Sequence, residues 1–550
     1  MPVIQIYRNR LEKLLPNHSY KEILEYLPYI GVDIEEVTDD YVRIEYSPNR
    51  PDFSTDYGVA KALRGLLGDE LGIDFWEPKE SGEAKVYVDK EVSSVRPYVM
   101  IFLARNLSLD DETIRQMISM QEDLHNGIGR GRKKLAIGLH DSSVVNFPLK
   151  YTLVGREHRF VPLNMDKEVT VEEMLKVTEQ GIKYGGLIQG DKYPAILDSK
   201  GLTLSIPPII NGNYTRVSER TRELLVDITG TDIKSMKLAA SVISETLHEM
   251  GAEIISGRSI YPDGREEKSP DVSPFKMEVD KKTIEELLGM SLTVEEIIES
   301  LRKSRLEAEE KNGIIEVTVP HYRGDILHKV DLAEEVLLGY GLFRVSPDLN
   351  IKFSEGKLLN SSKLDDVVRS ALVGLGFAEV LNPMLVSEEE LKNVLGEDLP
   401  IITTEFSKSS EHNALRPKLF PRCLRVLSLN QNEPMPRKIF EVGDAVYLEE
   451  GQAVQEEKLC FAEEKDGASL TDSKSYLEAL IRSLGLDASK LSFRRSSKRY
   501  ALRSFDVYYE NKLIGETFEV HPAILEDYKI KNPVIVAEIS LKEAYSFVLA

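Results

Sequence analysis

Around position 320 the chain changes its hydrophobic period. Ile315, Val317 and Val319 alternate with Glu316 and Thr318, the two-residue period of a half-buried strand. Pro320 ends that run, because it has no N–H to give a sheet ladder. Leu332 and Val336 then stand one helical turn apart, and the spacing predicts a helix over about 331–339. Asp331, Glu334 and Glu335 occupy i, i+3 and i+4 of it, so their carboxylates share a face, and Asp325 sits upstream on a loop able to fold back onto them. Elsewhere the same patterning predicts helices around 59–67 and 281–288. Another starts near Thr293, where Thr293 and Glu296 make a capping box, and an amphipathic helix carries Leu364, Val368, Leu372 and Leu375.

These elements group into four blocks: 1–85, 90–262, 270–347 and 348–550. The first alternates helix and strand patterns. It includes the turn-rich loop Ser47-Pro48-Asn49-Arg50-Pro51-Asp52, where Asn49, Arg50 and Asp52 can satisfy one another locally, and Asp56 or a neighbour caps the next helix. The second mixes β-branched runs with short helices and gives way to a charged linker over 261–274. The third contains the acidic helix start. The last begins with the amphipathic helix and continues into strands. The expected fold class is α+β, multidomain, without internal repeats.

Composition narrows the function. At 42% hydrophobic and 29% charged residues, the 550-residue chain can bury several cores. Its most apolar region, 371–386, is interrupted by Glu379, Asn382 and Pro383, short of the roughly 18–20 apolar residues of a membrane span. The N-terminus lacks the basic-then-apolar layout of a signal peptide, so the expected location is the cytoplasm, away from membranes. Two cysteines, Cys423 and Cys460, make neither a disulfide framework nor a zinc knuckle, and the nine histidines form no ligand pair. A net charge of −22 argues against wrapping nucleic acid over the whole surface, though 129–134 and 490–503 are basic islands suited to phosphate, to solvent or to a partner chain.

The crowded acids Asp325, Asp331, Glu334 and Glu335 admit two readings. Oxygen-only ligands suit a hard cation such as Mg²⁺ or Ca²⁺. Alternatively Asp331 caps the helix and the glutamates form a solvated face aided by the helix dipole. In the second block, Leu135-Ala136-Ile137-Gly138-Leu139-His140-Asp141 and Leu224-Leu225-Val226-Asp227-Ile228-Thr229-Gly230-Thr231-Asp232 each run from an aliphatic stretch into a polar cluster. That layout places His140, Asp141, Asp227, Thr229, Thr231 and Asp232 at strand ends or the following turns, where rigid strands deliver binding loops. Between them Leu202–Ile206 leads through Ser205 to Pro207-Pro208, which stiffens an extended segment ending at the Asn211-Gly212 turn. These polar groups either line a pocket or pair within the fold, Asp232 then capping the helix that starts at Ile233. No nucleophile elbow is present.

The segment Tyr322-Arg323-Gly324-Asp325-Ile326, followed by Asp331-Leu332-Ala333-Glu334-Glu335-Val336 and Tyr340-Gly341, resembles the signature of the phenylalanyl-tRNA synthetase β-subunit family, archaeal and eukaryotic type. The resemblance runs through the chain in the family's domain order and includes the Pro48-Asn49-Arg50 loop. It implies a Mg²⁺ site at Asp325, Asp331, Glu334 and Glu335 near a partner subunit. The second block, by the same resemblance, is an editing domain that hydrolyses tyrosine mischarged onto phenylalanine tRNA, with Asp227 accepting the phenolic hydroxyl among Ser205, Thr229 and His140. The last block resembles a class II synthetase antiparallel-sheet domain, 437–441 being similar to its second motif, but no third motif follows and no ATP site can be assembled. The chain is therefore expected in an (αβ)₂ assembly in which a partner α subunit binds ATP and phenylalanine and joins it to tRNA. A purely structural, tRNA-positioning subunit and a free-standing hydrolase of mischarged tRNA are the alternatives. The archaeal-type resemblance leads one to expect neither the OB-fold insertion nor the anticodon-binding module of bacterial β subunits.

Overall fold

The structure, a computed structural model, describes residues 2–346, 354–397, 400–405, 407 and 409–549. The chain divides into two compact units, Met1–Leu349 and Asn350–Ala550. The expected boundary at 347/348 lies outside the described residues, as does Pro347.

The first unit holds three sheets. At its start, strands Val3–Tyr7, Tyr41–Tyr46 and Val32–Val37 form an antiparallel sheet in that spatial order. Their alternate residues Ile4, Ile6, Val42 and Ile44 are buried against Leu11, Ile23, Val59 and Leu63 of the flanking helices. The predicted helix at 59–67 runs Asp56–Leu67, and its N-cap is Thr55, whose hydroxyl accepts the Gly58 N–H. In the preceding loop Arg50 clasps Asp52 through Nε (3.0 Å) and Nη2 (2.7 Å) and lies over Phe53, the local pairing that the loop's composition suggested.

The second sheet has ten strands and dominates the unit. Its central strands, Glu253–Ile260, Tyr98–Arg105 and Leu224–Gly230, end at the edge strand Leu135–Asp141. Period two sorts the residues of each strand onto two faces. Leu224, Val226 and Ile228 meet helices Asp111–Asn126 and Ile233–Glu249 through Met117, Met120, Ala239 and Ile243, whereas Leu225 joins Ile101, Leu103 and Tyr151 on the opposite face. Asp232 caps the second helix, accepting the N–H groups of Lys234 and Ser235. Part of the expected 261–274 linker is a strand, Glu266–Ser269, paired with Glu253–Ile260. The stretch after Ser205 is a hairpin, not one extended segment: strand Thr203–Ile206 turns through Pro207 and Pro208 into Ile210–Asn211.

The third sheet orders Phe275–Asp280, Ile314–Val319 and Glu307–Lys311, with Ile315, Val317 and Val319 inward as their alternation required. Helices Lys281–Leu288, Val294–Lys303 and Lys329–Tyr340 cover it, and the Thr293–Glu296 capping box is formed.

The second unit is built on a seven-stranded sheet, antiparallel except where Ala378–Glu379 joins Arg437–Glu449. The hairpin from Arg437–Glu449 to Gln452–Glu464 turns on Glu450 and Gly451, both at positive φ as a two-residue turn with the strands' twist requires. Helices Asn360–Gly374, Leu470–Ser483 and Leu541–Leu549 pack one core through Val368, Leu372, Leu477 and Tyr545. Helix Phe420–Leu429 packs another through Phe420, Cys423 and Leu427. The architecture is mixed α/β and multidomain. No described helix is long and apolar enough to cross a membrane.

Candidate functional site

Contacts bring the two ends of the large sheet's strand order together. Arg132, just before edge strand Leu135–Asp141, donates from Nη1 to the carbonyls of Pro208 (3.2 Å) and Ile209 (3.0 Å) in the hairpin at the other end. Between these ends lies a cavity of about 420 Å³. Its apolar wall includes Ile114, Met117, Ile137, Leu139 and Ile210, and its polar lining includes Gln121, Ser205, Asn211 and Asp227. A mostly apolar cavity with a few fixed polar groups is the usual form of a small-ligand site.

Asp227 lies mid-strand, not at a strand end, directly opposite Gly138 of the edge strand. It is 1% exposed and His140 is fully buried. A carboxylate oxygen only accepts, so the His140 Nε2–H donates to Asp227 Oδ2 at 2.7 Å, while Nδ1 lies 2.7 Å from the Thr215 hydroxyl. His140 does not line the cavity; it stands behind Asp227 and fixes its orientation. One carboxylate oxygen is thereby committed, while Oδ1 has no hydrogen bond among the described residues. Ser205 Oγ, in a side chain 3% exposed on the cavity wall, likewise lacks a partner there.

Gly138 makes the arrangement possible. A Cβ at that position would stand 2.0 Å from Asp227 Oδ2 and 2.6 Å from His140 Nε2. Gly138→Ala is expected to unseat one of the pair and to cost the about 1–3 kcal/mol of an overpacked core. Urea unfolding checks this, and an unchanged midpoint would mean that the pair accommodates a methyl group.

Thr229 departs from expectation. Two residues along from Asp227, it points at Arg96, whose Nε donates to its Oγ1 at 3.0 Å and Nη2 to its carbonyl at 2.8 Å. It does not line the cavity, because a buried guanidinium needs acceptors and takes it. The sequence reading missed Thr215 and the group at the opposite wall. There His125 is buried, and burial lowers its basicity, so it is neutral; Nε2 accepts the Ile137 N–H (2.8 Å) while Nδ1–H donates to Glu122 (3.1 Å). That hydrogen bond, with Arg132 at 2.6 Å, brings the Glu122 carboxyl down to about 2 against its burial. The basic island 129–134 contained the signal for Arg132. Its backbone passes through positive φ at Arg130, Gly131 and Arg132, and Lys134 pairs with Asp232 at 2.8 Å.

The four acids expected as a metal site are not gathered as one. Arg323, 2% exposed, donates Nε to Asp325 Oδ1 (2.9 Å) and Nη2 to its Oδ2 (2.7 Å), and also grips Glu335. Burial alone would raise the Asp325 carboxyl, but Arg323, helped by Arg50, holds it below the usual range. Asp331 is the third helical residue and accepts the N–H groups of Leu327 and His328, both at 2.7 Å, with His328 at the N-cap. Glu334 is exposed. Arg323 supplies positive charge to Asp325 and Glu335, Asp331 is spent on the helix start and Glu334 is exposed, so as placed these side chains do not form a ready ligand set for a divalent cation. No group of three or more His, Cys, Asp or Glu able to hold a metal occurs among the described residues.

In the second unit the sheet buries Glu441, Glu463, Glu464, Glu516 and Glu538. Arg416 pairs with Glu441 at 2.6 Å, Lys418 with Glu516 at 2.5 Å and Arg437 with Glu464 at 3.3 Å, while Glu538 accepts the N–H groups of Leu419 and Phe420. Lys438 and Lys465 pair with Glu463 and Lys458 with Glu538, so these cations are spent on carboxylates and are not left for a triphosphate. In the island 490–503, Lys490, Lys498 and Arg503 are paired with Glu510, Asp506 and Glu519.

Comparison with known proteins agrees along the whole chain. The family profile described as phenylalanyl tRNA synthetase beta chain CLM domain matches residues 348–541, and that of the tRNA synthetase B5 domain matches 277–342. The phenylalanine–tRNA ligase beta subunit of Archaeoglobus fulgidus is 36% identical over 548 residues, covering 98% of both chains. That of Methanocaldococcus jannaschii is 35% identical over 552 residues, covering 98% of this chain and 100% of the relative. Among solved structures, an N-terminal fragment of the phenylalanyl-tRNA synthetase beta subunit from Pyrococcus horikoshii superposes with a TM-score of 0.59 at 35% identity, covering 62% of this chain and all of the fragment.

Proposed function

The chain belongs to the phenylalanine–tRNA ligase β-subunit family, and on that footing we propose that the cavity at Asp227 hydrolyses tRNA wrongly charged with tyrosine. The observation that carries this is the free oxygen of Asp227, buried at an apolar cavity wall with its other oxygen held by His140. A tyrosine phenol entering the cavity donates to that oxygen, and Ser205 Oγ supplies a second polar contact. Phenylalanine in the same place leaves both groups unpaired, which a buried polar site penalises far more than an apolar pocket penalises an extra hydroxyl. Water then adds to the ester carbonyl, and the carbon–oxygen bond to the terminal ribose breaks, releasing tyrosine and intact tRNA. Apolar walls and fixed dipoles orient the ester for this attack.

The domain reading is 1–85 for support, 90–262 for editing, 270–347 as a small domain and 348–550 as a class II-like scaffold without synthetic chemistry. The separate cores of these blocks and the carboxylate-filled interior of the last support it. ATP and phenylalanine then belong to a partner α subunit in an (αβ)₂ assembly in the cytoplasm, and no step runs through a metal held by Asp325, Asp331, Glu334 and Glu335. The purified chain is expected to give no phenylalanine-dependent ATP–pyrophosphate exchange by itself and to support it once joined by an α subunit. Exchange by the chain alone would defeat the scaffold assignment, and failure of the complex to deacylate tyrosyl-tRNA would defeat the editing assignment.

A further inference from the structure

The one-turn helix Asn213–Thr215 adjoins the cavity, which Thr215 and the following Arg216 line. Thr215 reaches inward to His140 at 2.7 Å. Asn213 Oδ1 accepts the Asn164 N–H at 3.2 Å, and its own N–H donates to the Val161 carbonyl at 2.8 Å. Gly212 bridges to Pro162 and lies so close to the neighbouring strand that a Cβ would meet the Thr203 carbonyl oxygen at 2.4 Å. The turn is thus clamped on three sides.

What it presents outward is an aromatic ring and a guanidinium. Tyr214 is 65% exposed and makes no ring contact among the described residues. Arg216 lines the cavity, is exposed, and has no carboxylate partner among the described residues. Arg132 and Lys134, by contrast, are paired with Glu122 and Asp232. An exposed ring two residues from an unpaired guanidinium on a clamped turn suits a nucleotide: the ring stacks on a base and the guanidinium forks onto a phosphate.

We propose that the clamped turn carrying Tyr214 and Arg216 is the docking rim for the terminal nucleotide of the charged RNA, its base stacked on Tyr214 and its phosphate held by Arg216. This rests on the editing reading of the cavity. It adds that the aminoacyl group is delivered at a set depth, because Thr215 of the same turn supports His140 and, through it, Asp227.

The test uses the full chain, since cavity and rim both lie in its first unit. Two compounds with the same tyrosyl group are titrated: a non-hydrolysable 3′-tyrosylamido-adenosine 5′-monophosphate and tyrosine methyl ester. The wild type is expected to bind the nucleotide-linked compound about 10-fold or more tightly, the size of one base stacked on an aromatic ring. Tyr214→Ala and Arg216→Gln each shrink that preference, the double variant abolishes it, and Tyr214→Phe keeps it because stacking needs no hydroxyl. A wild type without the preference, or a double variant that retains it, overturns the rim. If the methyl ester binds and Asp227→Ala removes that binding while the preference survives in the double variant, the editing reading stands and the rim falls. If neither compound binds, both fall.

Discussion

Asp227→Asn is expected to slow hydrolysis of tyrosyl-tRNA by the assembled enzyme about 10- to 100-fold, while attachment of phenylalanine proceeds at the wild-type rate. The asparagine keeps the shape but has one acceptor oxygen, and the His140 Nε2–H at 2.7 Å already claims it. The phenol then faces an amide N–H₂ in place of a carboxylate oxygen. Hydrogen bonds to charged groups are worth about 1.5–3 kcal/mol, which sets the size of the loss. The same substitution is expected to erode the choice between tyrosine and phenylalanine, because that choice consists of pairing a buried acceptor or leaving it bare. Single-turnover deacylation of both charged tRNAs measures the two effects together. An unchanged rate on tyrosyl-tRNA would remove Asp227 from the site.

The second large effect is on stability. Arg323→Met is expected to destabilise the first unit by about 3–5 kcal/mol, the cost of breaking a buried ion pair from one side. Asp325 and Glu335 would be left buried without their shared cation. The effect has a definite pH dependence. In the wild type the Asp325 pKa is depressed below its unfolded value, so the pairing contributes fully above the ordinary carboxylate range and is lost as pH falls through the lowered folded pKa. In the variant the orphaned acids escape by taking up protons, so its deficit is largest near neutrality and shrinks in acid. Urea unfolding at several pH values reads this, and adding Asp325→Asn and Glu335→Gln to Arg323→Met should recover part of the loss. A variant with wild-type stability at pH 7 would show that Arg323 does not neutralise these acids.

Much of the fold was legible before any coordinates. Helix Lys281–Leu288, the Thr293–Glu296 capping box, strand Ile314–Val319 and the Asp232 cap all lie where period and cap chemistry put them. Each rests on hydrogen bonds spanning a few residues or on which face a side chain occupies, and both are written in local order. The candidate site was legible in kind but not in detail. Asp227 and Ser205 line the cavity with His140 behind Asp227, but Thr229 turned to Arg96, while Thr215, Glu122 and Arg132 entered unannounced. Family resemblance identified the chain, and the curated relatives bear that out.

The sequence by itself determined the elements, the acidic motif and the kind of protein this is. Tertiary structure alone decided which charge answers which. Asp227 and His140 are 87 positions apart and meet only because their strands pair beside Gly138, and Arg96 finds Thr229 from 133 positions away. Arg323 reaches Glu335, 12 positions on, only because loop and helix fold against each other into a buried ion pair. The reason is physical: periodicity records which face a residue occupies, whereas the energy of a buried charge depends on every group around it, wherever that group lies in the chain.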